Sequence, residues 1–373
     1  MAEFRKFDRN CFRGFGIGER SFEDNIVAEC KAIAQELDGY KGIPCNPHHF
    51  FVNGSCNVLF SIVFGERRGY DDEQFRHLTD LNSRIVYLIG AGFWHMIRPK
   101  YCDYLNRESG EILEIIQDIY EFIDTHIEKH RQDLDAENPK DLIDLYLKAM
   151  EDAPKPDDPF SYLQEDNMRG ALYMMFFAGA DTVSTTLDWC CLYMMAYSDV
   201  QKKIQKEIDS VVGRNRLPQL SDQTQMPFTR AALLEVQRHV TLLPLSVFHT
   251  ASADTTFRGY RIPKGATIVS NLYAVMKDPI AFLEPDRFNP ERFINEAGEY
   301  FAREEVCPFG VGRRICTGKQ LANMELFIFF THLLHRYSLV KPNDAPPFEG
   351  THGAKLGATF TPEPFTVKFV VRE

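Results

Sequence analysis

The stretch that most constrains the fold begins after Gln164 and reaches about Tyr197 as one long apolar helix. At about 1.5 Å per residue it measures on the order of 50 Å, long enough to cross a whole domain. Its most apolar window, Ala171 to Ala180, is closed by Asp181 and is too short to cross a bilayer. The middle of the helix is unusual. Gly179 costs about 1 kcal/mol against alanine in a helix interior, and Ala180, Asp181 and Thr182 follow it inside an otherwise apolar element. A β-branched hydroxyl that can bond back to a carbonyl, beside a glycine, can open or bend the helix there. A tolerated kink with a surface aspartate accounts for the same residues, so this stretch alone leaves both readings open.

A second constraint is the loop Phe309-Gly310-Val311-Gly312-Arg313-Arg314-Ile315-Cys316-Thr317-Gly318, which runs straight into Leu321 to Leu334, apolar on all sides and therefore a buried helix. The sulfur of Cys316 would meet the positive end of that helix, which favours thiolate over thiol. Gly310, Gly312 and Gly318 remove side chains on both sides, so the backbone can lie against a flat object, and Arg314 can pair with an acidic group on it. A thiolate under a planar dianion describes the axial ligand of a haem. A lone cysteine at a helix start is more often a small buried apolar residue. The spacing F-x-x-G-x-R-x-C-x-G is far more demanding, and this segment resembles the signature of the cytochrome P-450 family at every fixed position.

That resemblance continues along the chain. Gly179 to Thr182 is similar to the family's A/G-G-x-D/E-T motif, which implies that Gly179 and Ala180 leave room for dioxygen while Thr182 and Asp181 manage protons. Glu235 and Arg238 alone are an ordinary helical pair. Followed by Pro290-Glu291-Arg292-Phe293, they resemble the E-x-x-R and P-E-R-F motifs, so Arg292 can complete a Glu235/Arg238/Arg292 network that holds the cysteine loop and does no chemistry. Asn57 to Gly65, a buried helical segment ending at glycine, is similar to the family's C-N-V-I-x-S-I-x-F-G run.

Composition sets the remaining bounds. The 373 residues, 44% hydrophobic and 13% aromatic, can bury an ample core. A net charge of −11 argues against nucleic-acid binding. Nine cysteines without a C-x-x-C pair suggest neither a disulfide scaffold nor a zinc site, and fit a reducing compartment. Helical spacing is expected from Ser21 to Leu37 and from Gly110 to Arg131. Loops are expected at Asp135 to Lys140 and Asp152 to Pro159, a short β region around Gly259 to Gly265, and a half-buried strand through Phe365, Val367 and Phe369. Near the start, Arg5, Arg9 and Arg13 form a basic stripe on a helix whose other face carries Phe4, Phe7, Cys11 and Phe12. The stripe is either a solvated face or, by resemblance, a docking surface for an electron donor.

The resemblance implies a single mainly α catalytic domain over 1–373 with a small β part. It also implies a haem b held by Cys316, with Phe309, Gly310, Gly312, Arg314 and Gly318 around it and Arg5 and His249 as propionate partners. Phe176, Phe177, Ala180, Leu245, Val247 and Leu356 are the expected apolar cavity. Met1-Ala2-Glu3-Phe4-Arg5 resembles the W-x-x-x-R helix with methionine in place of tryptophan. The membrane anchor and first strands of the microsomal type are therefore expected to be missing. The implied reaction inserts one atom of O2 into a small lipophilic substrate, with electrons from NADPH through a flavin reductase or a cytochrome b-type donor, at the cytoplasmic face of the endoplasmic reticulum. Alternatives are a haem-thiolate isomerase or dehydratase, which the Asp181-Thr182 pair argues against, and an inactive truncated product.

Overall fold

The computed structural model describes residues 20–97, 102–152, 163–357 and 359–372, together with Phe7 and Cys11. Ten α-helices are found among them. They are α1 Arg20–Gly39, α2 His48–Val63, α3 Glu73–Ile97, α4 Cys102–Asp133, α5 Leu142–Glu151, α6 Glu165–Ala196, α7 Ser198–Val211, α8 Pro227–Val240, α9 Leu272–Met276 and α10 Lys319–Arg336. Eight short strands form four antiparallel pairs: β1 (His249–Thr250) with β4 (Thr267–Ile268), β2 (Thr255–Phe257) with β3 (Tyr260–Ile262), β5 (Tyr337–Val340) with β8 (Lys368–Val371), and β6 (Ala354–Leu356) with β7 (Phe360–Pro362). The expected mainly helical architecture with a small β part is what the chain adopts.

The long helix is α6, unbroken through Gly179 to Thr182. Thr182 does bond back, its Oγ1 donating to the carbonyl of Ala178 at 2.8 Å, but the helix absorbs this without opening. Helix α2 lies antiparallel along it, His48 meeting Asp188 at one end and Leu59 meeting Gly179 at the other. A Cβ on Gly179 would stand 2.8 Å from Leu59 Cδ1, so the glycine lets Leu59 of α2 pack closely against α6 and a larger residue would oblige that side chain to shift.

Helix α10 is buried nearly throughout from Leu321 to His335 and packs against α1, α6, α7 and α8, as its all-round apolar sequence predicts. Helix α8 has Pro227 in its first turn and ends at Thr241 in the left-handed region (φ 50°). Helix α2 starts nine residues ahead of the expected segment, and α3 was not anticipated at all. The C-terminal strand begins at Lys368, while Val367 bridges to Cys45 and draws the two ends of the described chain together. Of the expected basic helix only Phe7 and Cys11 are described; Phe7 packs edge-on against Tyr146 at 4.9 Å, and Arg5, Arg9 and Arg13 lie outside the described residues. No described helix is long and apolar enough to cross a membrane.

Candidate functional site

The cysteine loop opens with a tight turn and is then closed by a longer-range backbone bond. The amide of Gly310 donates to the carbonyl of Cys307 at 3.0 Å, and that of Cys316 donates to the carbonyl of Phe309 at 2.9 Å. Gly310 and Gly312 both take φ of 72°, a conformation that L side chains rarely adopt. A Cβ on either would meet nothing within 4 Å, so backbone conformation demands these glycines and their outer side is open. Gly318, at an ordinary φ, caps α10 and keeps the space beside the Cys316 sulfur clear, since its Cβ would lie 3.9 Å from Sγ. Cys316, Arg313 and Arg314 are exposed and Phe309 is half-buried. One soft sulfur donor, an open backbone platform and exposed guanidiniums fit a planar, anionic, metal-bearing group such as haem.

Behind the loop is a buried ion network. Glu235 and Arg238 on α8 are completely buried. Arg238 donates from Nε to Glu235 Oε2 at 2.6 Å and from Nη2 to Oε1 at 2.9 Å, and Arg292 Nε reaches the same Oε1 at 3.0 Å. The amide of Asn289 also donates to Oε1 at 2.9 Å. The remaining guanidinium donors are used on carbonyls: Arg238 on Met276 and Pro285, Arg292 on Leu283 and Arg287. A buried charge pair is tolerated when its donors are satisfied in this way, and here it ties α8 to the segment leading toward Cys316.

A second tie was not legible in the sequence. Tyr193 on α6 bonds to His239 Nδ1 at 2.5 Å, and His239 Nε2 bonds to the carbonyl of Asp286 at 2.8 Å. A carbonyl can only accept, so Nε2 carries the proton and Nδ1 accepts from the tyrosine hydroxyl. Burial, followed by the charge of Lys277, pushes His239 down to about 4, so it stays neutral.

On α6 the outward stripe is Met174, Ala178 and Thr182, spaced four apart. Phe176 (4% exposed) and Ala180 (0%) lie two residues off this stripe, close to the opposite side of a helix with 3.6 residues per turn. Phe176 packs against Phe60 at 5.5 Å, and both residues belong to the core. Met174 and Ala178 occupy the open positions of the helix. Phe177 is half-buried and stacks on Tyr173. Leu245 is half-buried and Val247 exposed, in a segment held to α6 because Trp189 Nε1 donates to the carbonyl of Phe360 while the Phe360 amide donates to that of Leu242. Leu356 lies in β6 and its side chain is not among those described. His249 lies in β1, paired with Ile268 and half-buried.

Asp181 turns inward from this stripe. The residue is partly exposed, yet its Oδ2 is sealed from solvent and has no hydrogen-bond partner among the described residues. Burial raises its carboxyl to about 6, with His48 opposing and Asp188 adding to the rise. Nearby Glu325 on α10 is also buried, which holds its carboxyl well above the ordinary range. On α6 an aliphatic and hydroxyl stripe thus stands next to a carboxyl able to take and give a proton near neutrality.

A family model described as cytochrome P450 matches residues 2–369. The chain is similar to cytochrome P450 2B19 of Mus musculus, 38% identical over 370 residues that cover 99% of this chain and 75% of that protein. Similarity to cytochrome P450 2U1 of Bos taurus is 36% over 367 residues, 97% of this chain and 66% of the relative. Cytochrome P450 2B12 of Rattus norvegicus is 38% identical over 371 residues, 99% and 75% respectively.

Proposed function

This chain belongs to the cytochrome P450 family of haem-thiolate monooxygenases, and we propose that residues 1–373 form one catalytic domain that oxygenates a small lipophilic substrate. The carrying observation is the exposed Cys316 sulfur on a loop whose turns only glycine follows easily, backed by the buried Glu235–Arg238 pair. When bound, haem b would activate dioxygen, so that one oxygen atom enters the substrate and the other leaves as water.

The chain's own residues divide the remaining work. Cys316 is the iron ligand, and Phe309, Gly310, Gly312 and Gly318 shape the surface against the macrocycle. Arg314, His249 and Arg5 hold its carboxylates. Met174, Ala178, Phe177, Leu245 and Val247 offer the apolar surface a lipophilic substrate needs. Thr182 presents a hydroxyl at the open stripe, and Asp181 beside it holds a proton that it can release near neutral pH. Electrons come from NADPH through a flavin reductase or a cytochrome b-type donor, on the cytoplasmic face of the endoplasmic reticulum.

A haem-thiolate isomerase has no use for a carboxyl poised near neutrality beside a hydroxyl, so the Asp181–Thr182 arrangement supports the monooxygenase reading. NADPH-dependent O2 consumption separates the two. Reduced protein under carbon monoxide is expected to show the red-shifted absorption of thiolate-ligated haem, and Cys316→Ser to lose it; folded wild-type protein without that band overturns the proposal.

A further inference from the structure

The seam between α2 and α6 contains polar groups that neither packing nor the chemistry above accounts for. His48, the first residue of α2, keeps 37% of its side chain exposed and bonds through Nδ1 to Asp188 Oδ2 at 2.6 Å. Asp188 is 2% exposed, and its other oxygen, Oδ1, has no partner among the described residues. Further along the seam the same holds for Thr185 Oγ1, Ser55 Oγ and Asp181 Oδ2, with Thr185 and Ser55 fully buried. Positions 181, 185 and 188 fall on one stripe of α6, and positions 48 and 55 on one stripe of α2. The antiparallel pairing of His48 with Asp188 and of Leu59 with Gly179 brings Ser55 alongside the stretch between Asp181 and Thr185.

Each orphaned polar atom costs about 1–3 kcal/mol when buried. A purely structural clamp would end at His48 and Asp188. Four orphans in file, leading from a half-exposed imidazole to the carboxyl beside Thr182, need a different account. At its outer end His48 lines a cavity of about 360 Å³ together with Glu36, His49, Tyr70, Arg76 and Asp80, so the imidazole stands in reach of solvent and of charged groups.

We propose that His48 and Asp188 are positioning residues at the outer end of a proton file, running through Thr185 and Ser55, that recharges Asp181 from the cavity at the start of α2. Asp181 and Asp188 are about 10 Å apart along the helix axis, too far for direct transfer. The hydroxyls of Thr185 and Ser55, with water bridging the orphaned atoms, span the gap. A solvent proton binds His48 at Nε2, and the proton on Nδ1 passes to Asp188 Oδ2. The Asp188 carboxylic acid turns so that this proton faces the file, releases it along the hydroxyls to Asp181 Oδ2 and is left ionised. His48, left neutral with its proton on Nε2, regains the Nδ1 tautomer by exchange with solvent, one proton lost from Nε2 and one taken up at Nδ1. No electron moves in the file. The overall reaction RH + O2 + 2 e⁻ + 2 H⁺ → ROH + H2O consumes the delivered protons, so the inference rests on the monooxygenase reading.

The electrostatics of both ends agree with this. Burial pulls the His48 imidazole down, but the hydrogen bond and charge of Asp188 and the charge of Asp181 outweigh it and raise it. Burial raises Asp188, which His48 opposes. The other ionisable groups facing the file include His49, Glu36, Tyr70, Arg76 and Asp80 at the entrance, Cys190 and Cys191 beside Asp188, and Cys56 and Glu325 near Asp181.

The test uses the haem-loaded protein with its reductase and compares His48→Gln and Asp188→Asn with His130→Gln, which breaks a His–Asp pair of the same 2.6 Å length at the start of α5. His48→Gln and Asp188→Asn are expected to raise the share of electrons lost to peroxide roughly tenfold and to enlarge the solvent deuterium isotope effect on product formation. The carbon monoxide band and the substrate-induced spin shift should stay as in the wild type, and His130→Gln should change neither quantity. A readout independent of turnover is the NMR titration of His48, whose midpoint should fall in Asp181→Asn. His48 is half-exposed, so His48→Gln remains informative if Asp188→Asn folds poorly. Wild-type peroxide leakage and isotope effect in His48→Gln, or a His48 midpoint indifferent to Asp181→Asn, overturns the file. A wild type without the thiolate band overturns the monooxygenase reading and the file with it.

Discussion

Replacing Asp181 with asparagine removes a carboxyl that the fold holds about two pH units above its ordinary value of 3.8. The folded state keeps its proton to about pH 6, whereas the unfolded chain gives it up near pH 4. Between those values the unfolded chain alone ionises, and each pH unit costs the folded state about 1.4 kcal/mol. Above pH 6 the penalty levels off at about 3 kcal/mol. Asparagine has no such term and nearly the same shape. The variant's stability advantage should therefore be absent below about pH 4, grow between pH 4 and 6, and stay constant beyond. For a chain of this length, unfolding entropy of about 2.1 cal/mol/K per residue converts 3 kcal/mol into about 4 °C of melting temperature. Melting followed by circular dichroism at pH 5 and pH 7.5 reads the difference, with about half the advantage already present at the lower pH. A variant that tracks the wild type by a constant offset across this window would refute the assigned burial of the Asp181 charge.

Other variants probe the scaffold and the open stripe. Glu235→Ala leaves the fully buried Arg238 charge without its carboxylate, and urea unfolding should show a loss of about 3–5 kcal/mol with haem incorporation reduced in parallel. Gly179→Ala forces Leu59 to move and should cost about 1–3 kcal/mol; pairing it with Leu59→Ala should recover part of that loss, which a double-mutant cycle measures. Thr182→Ala removes the hydroxyl but leaves the helix intact; spectra should show normal haem binding while peroxide release rises at the expense of product.

What the sequence could and could not convey follows from the physics of each feature. Helix α10 and the Glu235, Arg238 and Arg292 set were readable because burial on all sides and charged residues at fixed spacing leave local marks. The phase of α6 was not readable: a helix apolar all round has no amphipathic pattern to say that Met174 and Ala178 stand open while Phe176 and Ala180 are buried. Gly179 carried a true signal of close approach, but the partner, Leu59, is far away in the chain. His48 with Asp188, and Tyr193 with His239, are pairs made only by tertiary packing, and each residue alone looks like an ordinary helix position.

The placement of α10 bears on how this protein is made. Its apolar circumference seals α1, α6, α7 and α8 together, yet roughly 280 residues separate the end of α1 from its first turn. At about 5–20 residues per second on the ribosome, α1 waits on the order of 15–60 s before its partner exists. During that interval the faces of α1, α6, α7 and α8 that α10 covers in the finished fold lack that cover. Final closure comes later still, when Val367 reaches Cys45. Sequestration of the nascent chain by chaperones, more than any weakness of the finished core, should therefore set how much of this protein accumulates when it is overproduced.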